Sequence, residues 1–204
     1  MPFVYDLNQP IDFGIFNNNV YADTNVLADL YYDKRSLIKN TEQSKWEPYH
    51  QFISAYWSAN LHLHIIPCIL FEMFNVFLKY DMNVYNKEQK RGNKFNNPKD
   101  FREIEAFMQE RKDRYNLIMK QIYTNELIKI APVTITDFDV ISYIDQLNLH
   151  SMDSNDYILT TTAKDNFILT DDRDYASQVV SSNLITGNPN LISKALSLGF
   201  SLGN

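Results

Sequence analysis

Val20-Tyr21-Ala22-Asp23-Thr24-Asn25-Val26-Leu27 carries the chain from one kind of structure into another. An alternating apolar segment runs into an acid, and Val26, Leu27, Leu30 and Tyr31 then recur at helical spacing. Asp23 therefore stands where a strand ends and a helix begins, on the edge of an α/β sheet where ligands collect. Alone, it reads as a helix N-cap. A second stretch of the same design follows far downstream: Asn166-Phe167-Ile168-Leu169-Thr170-Asp171-Asp172-Arg173-Asp174-Tyr175 again leads from a short apolar strand into carboxylates. Two strands delivering acids to one edge form the pattern of a metal site.

Around these two junctions the periodicity predicts strands over 19–22, 62–66, 127–133, 167–170 and 183–186. Helices are predicted over 24–38, 46–60, 69–80, 99–123, 136–149, 156–164 and 189–198, with a helical turn near 174–180. The polar, asparagine-rich segment 81–98 reads as an exposed loop between two helices, and 40–44 as a break. Strands alternating with helices predict an α/β fold with a central, mostly parallel sheet and helices on both faces. Residues 1–18 read as an irregular N-terminal extension. The domain then covers 19–204, with a basic helical insertion around 81–123. No internal repeat is apparent.

A chain of 204 residues with 45% apolar and 14% aromatic content is long and greasy enough for one buried core. Five glycines and seven prolines argue against a loop-rich β architecture. The single cysteine, Cys68, lies in an apolar run and reads as core in a reducing compartment. The N-terminus lacks the basic-then-apolar pattern of a signal peptide, and the segment 65–78, interrupted by Glu72 and Asn75, is too short to span a bilayer. A cytoplasmic location is the expectation. The net charge of −6 disfavours a general nucleic-acid coat. Residues 79–120 nevertheless hold eleven basic and seven acidic side chains. That segment suits phosphate backbones, with Lys87, Lys90, Arg91, Lys94, Arg111, Lys112 and Arg114 as the cations able to follow one. The competing view is a solvated charged helix face.

Acids fall at four places. Asp23 ends the first strand, Glu72 interrupts the apolar helix after the second, and Asp156 starts a helix with Asp153 one turn earlier as its cap. Asp171, Asp172 and Asp174 end the later strand. Gathering carboxylates costs several kcal/mol unless a cation balances them. Mg²⁺ or Mn²⁺, hard ions preferring oxygen, suit such a set. Asp171 reads as a solvated neighbour, because alternation along an extended strand end turns it away from Asp172. His50, His62, His64 and His150 share no ligand spacing and read as structural.

Four segments together resemble the signatures of the PIN-domain ribonucleases, which include VapC-type toxins of bacterial toxin–antitoxin pairs. They are Tyr21–Leu27, Leu70–Phe77, Ser154–Ala163 and Ile168–Tyr175, in that order. The resemblance spans about 19–187. It implies a Mg²⁺- or Mn²⁺-dependent endoribonuclease leaving 5′-phosphate and 3′-hydroxyl ends. By position, Asp23, Glu72 and Asp156 match the family's three metal-holding acids, and Asp172 best matches the fourth, with Asp174 beside it. Thr24, Asn25 and Thr170 match small polar residues that bind the metal's water shell or a phosphate. Lys90, Arg91 and Lys94 are the substrate-binding cations of the insertion. The resemblance also implies RNA as partner, a homodimer and, for a toxin, an antitoxin protein. The chain departs from the VapC pattern in its lead and its basic segment, which weighs against a toxin more than against a nuclease. The alternative is a catalytically silent PIN-like module that binds RNA or protein. A phosphatase on a similar sheet is a third class; it would favour an early Asp-x-Asp, where this chain has Asp23-Thr24-Asn25.

Overall fold

The computed structural model describes residues 2–17, 19–32, 40–88, 95–102, 105–133, 135–136, 141, 143, 153–177 and 182–203. Among these residues, seven strands form one sheet: β1 (Phe3–Asp6), β2 (Val20–Ala22), β3 (Leu63–Ile65), β4 (Ile128–Ile130), β5 (Phe167–Leu169), β6 (Asn183–Thr186) and β7 (Ser201–Gly203). Their order is β4-β3-β2-β5-β6-β1-β7, and every neighbouring pair is parallel. Around the sheet lie α1 (Thr24–Tyr31), α2 (Asn40–Ser58), α3 (Pro67–Glu88), α4 (Pro98–Phe101), α5 (Glu105–Thr124), α6 (Ser154–Thr162) and α7 (Pro189–Ser197). The α/β expectation is met.

Parallel sheets need cover on both faces, so their strands read as unbroken apolar runs. Phe167, Ile168 and Leu169 of β5 are all buried, as are Leu184, Ile185 and Thr186 of β6. An aromatic cluster fastens α2 and the N-terminal lead onto this surface. Phe16 meets Phe167 edge-on at 4.8 Å between centroids and Phe52 at 5.6 Å, in the T-shaped geometry aromatic quadrupoles prefer.

The strand order has a functional consequence. From β2 the chain moves outward one way to β3 and β4. It then returns on the other side of β2 to build β5 and β6. Neighbouring β2 and β5 thus flank the point where the winding reverses, and crevices for ligands open at the carboxyl ends of such strands.

Several expectations are corrected. Residues 3–6 are not irregular: β1 lies between β6 and β7, with Val4 opposite Leu184 and Leu202. Its three apolar residues show no periodicity; distant partners make it a strand. β7 was not foreseen at all. Gly203 sits against the Tyr5 ring, where a Cβ would collide with it, and Gly199 (φ +92°) lets the chain turn from α7 into β7. The break at 40–44 is helical backbone of α2. The loop expected from 81 is a continuation of α3 to Glu88. Leu78, Met82 and Phe101 form a second apolar cluster with Tyr85 and Phe95, so tertiary packing overrides a polar composition. The helix expected over 99–123 is two helices, α4 and α5. The helix over 136–149 lies outside the described residues apart from isolated positions; a turn expected over 150–155, whose residues 150–152 also lie outside them, is already helical from Ser154.

Asp81 explains the continuation further. It is 9% exposed and accepts hydrogen bonds from Tyr32 (2.6 Å), Tyr115 (2.9 Å) and Arg114 (2.5 Å to each oxygen), with Arg111 Nε at 3.3 Å. Arg111 also stacks on Phe101. Two arginines that sequence placed on an RNA-facing surface are thus engaged with Asp81, Arg111 buried and Arg114 at the rim. They join α5 to α3 and to the residue ending α1.

Candidate active site

Asp23 leaves β2 with an extended backbone and caps α1, its Oδ1 accepting from Thr24 N–H at 2.6 Å. Its own N–H donates to Leu169 O of β5 at 3.0 Å, so the two central strands end in register. Capping is only half of its bonding. Oδ2 accepts from the Thr170 hydroxyl at 2.8 Å, and the Tyr175 hydroxyl lies 3.3 Å from Oδ1. The side chain is 2% exposed.

Glu72, in the second turn of α3, is half-buried. Its Oε2 accepts from the Thr24 hydroxyl at 2.9 Å and from Asn155 Nδ2 at 3.1 Å. It points off the core face, towards α1 and α6. Asp156 stands in the first turn of α6, which Asp153 caps as expected by accepting from the N–H of Asn155 and Asp156 at 2.9 and 3.0 Å. Asp156 Oδ1 accepts from the Tyr175 hydroxyl at 2.8 Å. That hydroxyl bridges Asp23 and Asp156. With one proton to give, it serves one carboxylate at a time.

Burial first, then the charges of Asp156 and Glu72, push the Asp23 carboxyl from its ordinary 3.8 up to about 8. Burial, with Asp153, Asp172 and Glu72 repelling, raises Asp156 to about 7 against the donation from Tyr175. Burial and the same two aspartates lift the Tyr175 hydroxyl well above its ordinary range, so it stays a donor. The charges acting on these acids are negative, and a divalent cation would relieve them.

The junction after β5 supplies the rest. Thr170 Oγ1 accepts from Asp172 N–H, and Asp172 Oδ1 accepts from Asp174 N–H at 2.8 Å. Asp172 contributes to the negative field on Asp156. Asp174 turns to Lys194 of α7, whose Nζ lies 3.2 Å away. Asp171 does face away from Asp172, yet it is not solvated. It is buried, accepts from Tyr49 OH at 3.1 Å and pairs with Lys45. A carboxylate there locks α2 onto the ends of β5 and β6. Thr24 and Thr170 use their hydroxyls on Glu72 and Asp23, while Asn25 is exposed beside them. Lys90, Arg91, Lys94 and His150 lie outside the described residues. His50 contacts Asp29 at 2.9 Å and His64 packs against the Tyr21 ring in a tilted arrangement, in keeping with structural histidines.

The structure therefore brings Asp23, Glu72 and Asp156 into one hydrogen-bonded network with Asp172 close enough to act on it. Two members were not anticipated. Sequence assigns Tyr175 no role, and only its hydroxyl in place of a phenylalanine hydrogen is a signal. Asn155 looked like a turn residue. The all-oxygen donor set fits a hard divalent cation, and Asp23, Glu72, Asp156 and Asp172 are the side chains that would hold it. Among the described residues, no three His, Cys, Asp or Glu side chains already stand as a ready ligand set. None of the described helices is long and apolar enough to cross a membrane. Scans of protein-family models, curated proteins and solved structures find no match to the chain.

Proposed function

We propose that the protein is a Mg²⁺- or Mn²⁺-dependent endoribonuclease of PIN-like design, working at the carboxyl edge between β2 and β5. The observation that carries this is the shared network of Asp23, Glu72 and Asp156. Three acids from three separate elements are buried or half-buried together, and two of them are driven to hold protons near neutral pH. A purely structural site would rarely gather charges of one sign at such cost. A divalent cation held by Asp23, Glu72, Asp156 and Asp172 would supply positive charge to a scissile phosphate and would lower the pKa of a water there. Thr170 and Thr24 hold Asp23 and Glu72 in orientation, and Tyr175 ties Asp23 to Asp156. No histidine is required as a base. The resemblance to PIN-domain ribonucleases supports RNA as substrate, and it extends the proposal to a homodimer and, in a toxin setting, an antitoxin partner.

One observation favours the alternative, a catalytically silent binding module: Tyr175 stands between two of the acids, and no described trio is preassembled for metal. The test is cleavage of a mixed RNA substrate with Mn²⁺, with EDTA and with Asp23→Asn, alongside calorimetry of Mn²⁺. Metal-dependent cleavage with 5′-phosphate ends, lost in Asp23→Asn, is expected. Absence of both cleavage and metal binding would assign the silent module, and 2′,3′-cyclic phosphate ends would rule out this hydrolytic route.

A further inference from the structure

The exposed side chains of α3 fall in single file. Phe71, Asn75, Lys79, Asn83 and Lys87 follow one another at intervals of four, and each is exposed while the described positions between them are half-buried or buried. Such a row is a ridge inclined to the helix axis by about 26°. From Phe71 to Lys87 it runs about 24 Å at the rise of an α-helix. No acid stands on it, although the chain as a whole carries −6. Arg102, just past α4, donates from Nη2 to Asn75 Oδ1 at 2.9 Å, which lays a guanidinium against the ridge. Phe71 heads the file and is 73% exposed, more than any other exposed large hydrophobic among the described residues. It immediately precedes Glu72.

An aromatic ring left in water beside an acidic site, followed by amides and cations in line, is the composition of a single-strand track. A base stacks on the ring, and the cations meet successive phosphates. We propose that this ridge binds single-stranded RNA, with a base stacked on Phe71 and phosphates on Arg102, Lys79 and Lys87. It rests on the nuclease reading of the acid site and gives it a direction. The stacked nucleotide lies beside Glu72, and the strand runs from there along α3. Arg111 and Arg114, engaged with Asp81, have no part in it.

The test is fluorescence anisotropy of a labelled, mixed-sequence single-stranded RNA in EDTA, with the full chain. Phe71 is exposed, so Phe71→Ala leaves the core intact; it is expected to weaken binding about 5- to 150-fold, the range for loss of one base stack. Phe71→Trp is expected to preserve binding. A Lys79→Glu, Lys87→Glu double variant is expected to bind weakly and to flatten the salt slope by about 1.4. A Lys120→Glu, Lys164→Glu variant of equal net charge is expected to lose much less. Phe71→Ala binding as tightly as wild type overturns the stack. Equal losses in the two charge variants overturn the track. No RNA binding by wild type, with self-association abolished by Phe71→Ala, overturns the proposal in favour of a second copy of the chain. RNA binding that obeys the ridge without any Mn²⁺-dependent cleavage sinks the nuclease reading alone. Cleavage that ignores every ridge variant sinks the ridge alone.

Discussion

Replacing Asp23 by asparagine is expected to stabilise the metal-free protein at alkaline pH while destroying the metal site. Asp23 is ionised at 3.8 ordinarily and at about 8 when folded, because burial and the charges of Asp156 and Glu72 oppose its anion. The folded state thus holds this proton more tightly than the unfolded chain does. Stability contributed by the neutral acid is full below the ordinary value, declines as pH rises towards about 8, and is flat above it. Each pH unit of that window corresponds to about 1.4 kcal/mol, so the whole window sets a ceiling near 6 kcal/mol. Asp156 shares the repulsion, and removing one member relieves the other. Roughly half the ceiling, about 3 kcal/mol, is therefore the expected gain at pH 8.5, less about 1 kcal/mol for the altered bond to Thr170. That net 2 kcal/mol corresponds to a rise in Tm of about 4–8 °C for a chain of this size. At pH 4.5 the gain is expected to vanish and the lost bond to show as a small deficit. Urea unfolding in EDTA at both pH values measures this directly. Added Mn²⁺ is expected to stabilise wild type at pH 8.5, by about 2.7 kcal/mol at one hundred times its Kd, and to leave Asp23→Asn unmoved. Equal destabilisation of the variant at both pH values would refute the reasoning, since it would mean that Asp23 is a favourable, already compensated charge.

Tyr175→Phe removes the hydroxyl shared by two acids; urea unfolding at pH 6, where both acids hold their protons, is expected to show a loss of about 0.5–1.5 kcal/mol, and titration of Mn²⁺ a changed pH dependence. Asp81→Ala strands the buried Arg111 and frees Arg114; chemical unfolding is expected to show a cost of about 3–5 kcal/mol. Asp153→Ala removes the α6 cap and is expected to cost about 1 kcal/mol in Tm measurements. Gly203→Ala drives a methyl into the Tyr5 ring; amide exchange is expected to report earlier opening of β7, with a loss of about 1–3 kcal/mol overall.

The acid-bearing junctions were legible because their signals are local. A short apolar run, an acid and a helical repeat lie within eight residues at Val20–Leu27, and the same logic holds at Asp153–Asp156 and Phe167–Asp172. What escaped was set by residues far away. β1 is a strand because 184–186 and 201–203 flank it. Asp81 looked like a loop acid because its arginines come a helix later. Tyr175 reveals its role only where α6 and β2 meet. Sequence also could not tell a cation paired with an acid from one that is not: Arg111 and Arg114 are as basic as Lys79, and only the fold brings Asp81 against the two arginines.

The position of β1 also orders assembly in time. Its first pairing partner, β6, lies some 180 residues later in the chain, and its second, β7, follows only after α7. On a ribosome adding about 5–20 residues per second, β1 waits roughly 10–40 s before either exists. During that wait β2, β3 and β4 can pair, but the strip of β6, β1 and β7 cannot. Sequence-distant pairings also close slowly once available, because the loop entropy falls due before any contact is made. The strand synthesised first is thus among the last to be placed.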